Sequence, residues 1–258
     1  MTPIEAWISF YTIVRKEIVR ILRIWPQTFL PAVVTSVLYF LIFGTVLGSR
    51  IGEFQGVAFV AFVVPGLIML AVVTNSFSNV AFVMFASRFF ARNIDEILVS
   101  PTPPSIIVAG FVASGVVRGV GVGILVFLTS IPFAGLAIHN LPVILVFLVL
   151  TSLALSLAGL INGIHAKSID GINIIPTFVL TPLVYLGGVF YSVDALPTFW
   201  QGVTHANPIF YVVDGFRYGF LGISDTPLLL SGGILLAVCA ILGLLSWYEI
   251  RSGLRLKQ

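Results

Sequence analysis

The sequence predicts an all-α membrane protein. The expected parts are six transmembrane helices, an N-terminal interfacial amphipathic helix, a short cytoplasmic helix after the second span, and short re-entrant helices on the outer side. Three observations carry this. Hydrophobic residues make up 59% of the 258 residues and charged residues only 9%, where a soluble domain carries about 25% charged residues. Mean hydropathy is +1.12. At about 20 residues per span the length allows six crossings with their connections, so residues 1–258 read as one membrane domain.

Residues 4–25 place Ile4, Trp7, Tyr11, Val14, Ile18, Ile21 and Trp25 at three- and four-residue spacing, one stripe of a helix. Lys16, Arg20 and Arg23 fall on the opposite face, as expected of a helix lying in the membrane interface. Charge arrives too late in this segment for a secretory signal peptide. Apolar runs near 30–48, 57–80, 106–131, 142–163, 172–190 and 228–248 read as the spans. With an even number of spans, Arg15, Lys16, Arg20, Arg23, Arg88, Arg92, Lys167, Arg251, Arg255 and Lys257 share one side, against Arg50 and Arg217 on the other. That bias puts both termini in the cytoplasm. Trp25, Tyr185, Tyr191, Trp200, Trp247 and Tyr248 sit near span ends, where amphipathic rings favour the headgroup level.

The cytoplasmic segment 87–99 reads as one amphipathic helix. Phe90, Ile94, Ile97 and Leu98 lie on one face; Arg88, Arg92, Asp95 and Glu96 lie on the other. Pro101, Pro103 and Pro104 stop it. Asp95 and Glu96 then fall near its C-terminal end, where the dipole disfavours acids and Arg92 compensates. Such a helix suits either a partner-docking element or a plain interfacial helix. In the third span Gly115, Gly119 and Gly123 repeat every four residues, a spacing that lets helices approach closely, within one chain or between copies. Arg118 in that span and Asn162 in the fourth are the intramembrane polar residues; the arginine requires a polar partner and either lines a path or holds the bundle together. The outer segment 191–227 is long for a loop. It carries Trp200, the helix start Asn207-Pro208, and Asp214 with Arg217 three residues on. A short helix pair dipping toward the membrane serves as an outer lid or as packing.

Several chemistries are excluded. No glycine is followed by lysine, so the chain has no phosphate-binding loop of the G-x-x-x-x-G-K-[ST] type. His139, His165 and His205 lack metal-ligand spacing, and the single Cys239 cannot form an intrachain disulfide. The net charge of +3 lacks the clustered basic stripe of a nucleic-acid binder. Carboxylates are nearly absent from the apolar runs, which leaves no evident ion-coupling relay.

The order of motifs resembles the ABC-2 family of transport permeases, and most of all its bacterial inner-membrane branch. The resemblance rests on Ile94-Asp95-Glu96-Ile97-Leu98-Val99-Ser100-Pro101 after span two and Leu157-Ala158-Gly159-Leu160-Ile161-Asn162-Gly163 closing span four. It continues through Gly187-Gly188-Val189-Phe190-Tyr191, Leu196-Pro197 and Asn207-Pro208 to Phe216-Arg217-Tyr218-Gly219-Phe220-Leu221-Gly222. The resemblance implies a multi-pass permease of the bacterial inner membrane. It would work as a pair of membrane subunits over two separate ABC ATPase chains, with ATP and Mg bound on those chains and no cofactor of its own. It further implies that the helix after span two is the coupling helix, with Arg88, Arg92, Asp95 and Glu96 as coupling residues. The 191–222 segment would cap the exit, and spans one and five of the two copies would meet and line the route. An ion-driven secondary carrier, expected to show an inverted repeat, and a non-transporting membrane scaffold are the competing readings.

Overall fold

The computed structural model describes residues 2–91, 93–135 and 138–253; Arg92, Arg255 and Lys257 lie outside them. Thr2 starts helix α1 (Pro3–Arg23) with a reciprocal box, its hydroxyl accepting from the Glu5 amide and its own amide donating to the Glu5 carboxylate. The helix breaks at Ile24 (φ −111°, ψ 30°), because Pro26 has no N–H to donate to the Leu22 carbonyl one turn back and its ring crowds that carbonyl. Helix α2 (Trp25–Leu41) then runs into a π-helical stretch, Ile42–Leu47, and the short α3 (Gly48–Ile51). A two-residue hairpin, β1 (Glu53–Phe54) with β2 (Val57–Ala58), interrupts the expected all-α order. Gln55 (φ 52°) and Gly56 (φ 78°) make its turn, and both need left-handed backbone as a tight hairpin requires.

Helix α4 (Phe59–Phe89) and helix α6 (Pro104–Ala134) each have 31 residues, about 46 Å of helix against a hydrocarbon core of about 30 Å. Between them sits α5 (Ile94–Val99). Helix α7 (Leu141–His165) returns, and α8 (Ile169–Ile175), a π stretch (Pro176–Leu180) and α9 (Thr181–Tyr185) form one apolar rod. A single 3₁₀ turn (Val193–Ala195), α10 (Thr198–His205) and α11 (Pro208–Leu221) precede the last helix, α12 (Leu228–Ser252).

Among the described residues, five helices are long and apolar enough to cross a membrane: Trp25–Leu47, Phe59–Phe89, Pro104–Ala134, Leu141–His165 and Leu228–Ser252. They cover the expected first, second, third, fourth and sixth spans. The rod Ile169–Tyr185 stands where a span over 172–190 was expected and is shorter. The chain leaves it at Leu186, and Gly188 turns back with φ +74°.

The core is the contact of α4, α6 and α7. Glycines make it possible. A Cβ on Gly119 of α6 would lie 1.9 Å from Ser76 Oγ and 2.7 Å from Ser152 Oγ. Gly115 and Gly123 meet Ser156 and Leu148 of α7 and Val80 and Val72 of α4 in the same way. The four-residue glycine stripe is therefore an internal contact. On α7, a Cβ at Gly159 would lie 2.3 Å from the Phe77 carbonyl, so this helix rests on α4 backbone.

Two expectations need correction. Residues 87–99 are not one helix: α4 ends at Phe89 and α5 starts at Ile94. Asp95 and Glu96 thus occupy the first turn of α5, where the helix dipole favours acids. The expected basic face of α1 is divided: Lys16 and Arg23 are exposed, and Arg20 is not. Its Arg20 turns inward, Glu17 and Ile21 are buried, and Ile13 packs over Gly110 of α6. Trp7, on the outward side, stays 65% exposed.

The Gly159 contact has a measurable consequence. Gly159→Ala should lower the midpoint of thermal unfolding in detergent by the equivalent of about 1–3 kcal/mol, the usual cost of overpacking. Gly232→Ala on α12, where nothing lies within 4 Å of the new methyl, should not lower it. Equal melting of the two variants would rule out backbone contact between α7 and α4.

Candidate functional site

Helix α4 carries Asn75 and Asn79, one turn apart on one face. Helix α6 presents Ser114 and Arg118 at the same spacing, and α1 presents Glu17 and Arg20. These six side chains form one network. Arg20 Nε donates to Glu17 Oε2 at 2.8 Å, and the same guanidinium donates to Asn79 Oδ1 at 2.9 Å. Arg118 donates to that Asn79 oxygen at 3.3 Å and to Asn75 Oδ1 at 3.1 Å. Asn79 Nδ2 donates to Ser114 Oγ at 3.2 Å, and Ser114 to the Phe111 carbonyl. Arg118 was expected to need a polar partner, and it has two amides rather than a carboxylate.

Arg118 and Asn75 form part of the wall of a cleft of about 330 Å³ between α2, α4 and α9. Thr35, Ser36 and Tyr39 reach it from α2, Thr74 from α4, and Thr181 and Tyr185 from α9. Among the described residues, no Asp, Glu or Lys lines it. The helices at its mouth are otherwise apolar and uncovered: Leu30, Val34, Leu38 and Val179 are exposed, and Phe178 is 73% exposed.

A second polar cluster sits at the other end of the bundle from α5. Helix α11 begins beside Ala154 and Ala158 of α7 and Leu242 of α12, each more than a dozen residues into its helix, around an apolar cavity of about 140 Å³. It climbs along α7 until the Asn140 amide donates to the Gly219 carbonyl. Gly215 and Gly219 permit this, because a Cβ on either would strike Phe147 or Ile144. Residues 198–221 are thus two short helices, of which α11 dips into the bundle. Asn207 caps α11 through the Ile209 amide and donates to the Leu183 carbonyl; Pro208 is the first residue of the helix. Trp200 lies on α10 beside Phe199, both exposed.

Asp214 and Arg217 are buried but do not pair. Asp214 accepts from the amides of Asp225 (2.7 Å) and Thr226 (3.1 Å) and from the Thr226 hydroxyl (2.5 Å), tying α11 to the start of α12. Arg217 donates to the Gly188 carbonyl and stacks 3.9 Å from the Phe62 ring centroid. Burial raises the Asp214 carboxyl above the usual carboxylate range, against those hydrogen bonds. Burial likewise pulls Arg217 down to about 10, which leaves it cationic at neutral pH. Asp225 in turn holds Ser192 and the Val193 amide, and Gln55 donates to Ser192.

The remaining expected residues separate. Arg88, in the last turn of α4, points to the C-terminal end of α7, donating to the carbonyls of Gly163, Ile164 and Ala166. Asn162, on the same helix end, donates to the Ile172 carbonyl at 2.9 Å and fastens α8. Asp95 and Glu96 are exposed on α5, while Ile94 beside them is fully buried between α4 and α6. Sequence reasoning missed Glu17, Asn75, Asn79, Ser192, Asp225 and Thr226. For Asn75 and Asn79 a signal existed: two amides one turn apart in an apolar run, at a depth matching Arg118.

The sequence matches the ABC-2 type transporter family over residues 8–221. It is 51% identical over 247 residues to the inner membrane transport permease YadH of Escherichia coli (strain K12), covering 96% of each chain. Nodulation protein J of Rhizobium leguminosarum bv. viciae is 27% identical over 203 residues, 77% of each chain. Nodulation protein J of Rhizobium meliloti (strain 1021) is 28% identical over 200 residues, 76% of this chain and 74% of that one. With an amide-held arginine beside a polar cleft, a short helix dipping into the opposite end, and a family match across most of its length, this chain belongs to the ABC-2 type transporter family.

Proposed function

We propose that the chain is the membrane subunit of an ATP-driven exporter, paired with a second copy of itself above two separate ATPase subunits that bind the ATP and Mg. As a transport permease of the ABC-2 family it moves a solute and is not itself an enzyme. The observation that carries the pairing is the cleft. A cavity walled by Arg118, Asn75, Gln27 and several hydroxyls opens beside α2, little of which is buried. Polar groups facing hydrocarbon are costly. A second copy laid against α2 and the α8–α9 rod removes them from lipid and turns two clefts into one route.

On this reading residues 1–258 are a single membrane domain with six crossings, the α8–α9 rod being the fifth. Both termini and α5 lie on the cytoplasmic side of a bacterial inner membrane, as the lysine and arginine bias supports. The α10–α11 pair caps the outer end. Helix α5 is the coupling element. Its Asp95 and Glu96 are free to meet an ATPase, while burial of Ile94, about 2 kcal/mol of apolar contact, transmits a push on α5 to α4 and α6 together. The two access states are then biased by ATP binding on the partners.

Co-expression of the tagged chain with neighbouring ATPase chains tests this. The expected product is a two-plus-two complex whose ATPase activity falls by about tenfold or more in Asp95→Arg and Glu96→Arg, as charge reversal at a docking contact predicts, with unchanged thermal stability. Full stimulation in both variants would remove α5 from coupling, and a folded chain that captures no ATPase would remove the ATP-driven reading. Arg88→Ala should behave in the opposite way. Loss of the charged cap on α7 costs about 1–3 kcal/mol of stability, measured as a lower unfolding midpoint, before any effect on coupling.

A further inference from the structure

The cleft carries one more conclusion, which rests on the permease reading for its role in transport. Arg118 is the charged residue in its wall. The two partners of its guanidinium are the neutral oxygens of Asn75 and Asn79, and its Nε is buried with no partner. Glu17, the carboxylate of the network, is engaged by Arg20 at 2.8 Å. The network thus holds two guanidiniums and one carboxylate, the carboxylate is paired with Arg20 alone, and Arg20 presents a like charge to Arg118. An arginine within an apolar helix is costly to insert, and a buried cation wants an ionised partner. Here none is built in.

The rest of the wall fits an anion better than a cation or a neutral sugar. Among the described residues, no carboxylate faces the space. The hydroxyls of Thr28, Thr74 and Thr181 already donate to backbone carbonyls of their own helices. Donors therefore come from Arg118, from Gln27, Thr35, Ser36 and Tyr39 of α2, and from Tyr185 of α9. The volume of about 330 Å³ is at the low end for a ligand pocket, enough for a head group and not for a whole amphiphile. Immediately outside it stand Leu30, Leu38 and Phe178, exposed and apolar.

We propose that this cleft binds the anionic head group, phosphate or carboxylate, of an amphiphile whose apolar tail lies along α2 and the α8–α9 rod, with Arg118 as the counter-charge. The substrate class is then an anionic amphiphile, not a cation or a neutral glycan lacking a charged head.

The test uses the full chain purified in dodecyl maltoside, with dodecyl phosphate as the probe and intrinsic tryptophan fluorescence and thermal unfolding as readouts. Saturable binding of dodecyl phosphate is expected, retained in Arg118→Lys and weakened by about tenfold or more in Arg118→Gln, the usual worth of a charge-assisted hydrogen bond. Thr35→Phe, an exposed position at the cleft that a larger ring can occupy without disturbing the core, should abolish it with Arg118 intact. This second variant decides the matter if Arg118→Gln does not fold. Unchanged affinity in Thr35→Phe or in a folded Arg118→Gln would overturn the proposal. Inorganic phosphate bound as tightly as dodecyl phosphate would overturn the amphiphile assignment in favour of a free anion. Dodecylphosphocholine, with no net charge, bound equally well would overturn the requirement for an anionic head. None of these measurements involves an ATPase, so failure here is separate from failure of the complex to assemble.

Discussion

Close approach of three helix backbones is the constraint on which the rest of the molecule depends. Helices α4, α6 and α7 meet where Gly119 faces Ser76 and Ser152, where Gly115 faces Val80 and Ser156, and where Gly159 and Gly163 rest on carbonyls of Phe77 and Ala81. In lipid, burial of apolar surface gives little drive for helices to associate, so packing contact and small residues have to supply it. The same tight contact sets Asn75 and Asn79 opposite Arg118, because both amides and the arginine stand on the faces those glycines bring together. A looser bundle would leave the guanidinium too far from either amide to be held without water.

The two polar clusters solve the same problem differently. At the α11 end the charges are held locally, although Arg217 Nε, like Arg118 Nε, is buried without a partner. Three donors converge on Asp214, Arg217 has a carbonyl and an aromatic face, and Asp225 holds Ser192 and a backbone amide. That end is a fastening, and it fixes how α11 sits on α4, α7 and α12. At the cleft the answer is incomplete, with one carboxylate for two guanidiniums. A buried polar group left short of partners is expensive, and its persistence beside an open space distinguishes a working surface from a joint.

Much of the architecture could be read from the residues, and the failures have identifiable causes. The five long helices follow from apolar length alone, which is why their existence was legible and their ends were off by a few residues. Asn207-Pro208 marked the start of α11 correctly, since cap and first-turn proline are local chemistry. The break before α5 was also local. Asn93 followed by Asp95 and Glu96 is a helix-start pattern, and the apolar period running through Phe90 and Ile94 hid it. What could not be read was non-local. Periodicity said that Gly119 faces something close, but not that it faces Ser76. Spacing placed Asp214 and Arg217 together, but not the turn at Asp225 and Thr226 that draws the carboxylate away. Arg88 looked like part of a charged face until the end of α7 supplied carbonyls to it.

The two π-helical stretches change how the helices around the cleft must be counted. A straight α-helix advances about 100° per residue, so Thr181, nine residues after Ile172, would point to the opposite side of the rod from it. The stretch Pro176–Leu180 takes in about one extra residue in its wide turn, which swings the following azimuth back by about 100°. Thr181 and Tyr185 reach the cleft from a rod whose Ile172 packs on the core for that reason. The stretch Ile42–Leu47 does the same at the far end of α2. A helical wheel drawn from Thr35 loses its meaning beyond Ile42, and residues on either side of each stretch belong to separate wheels.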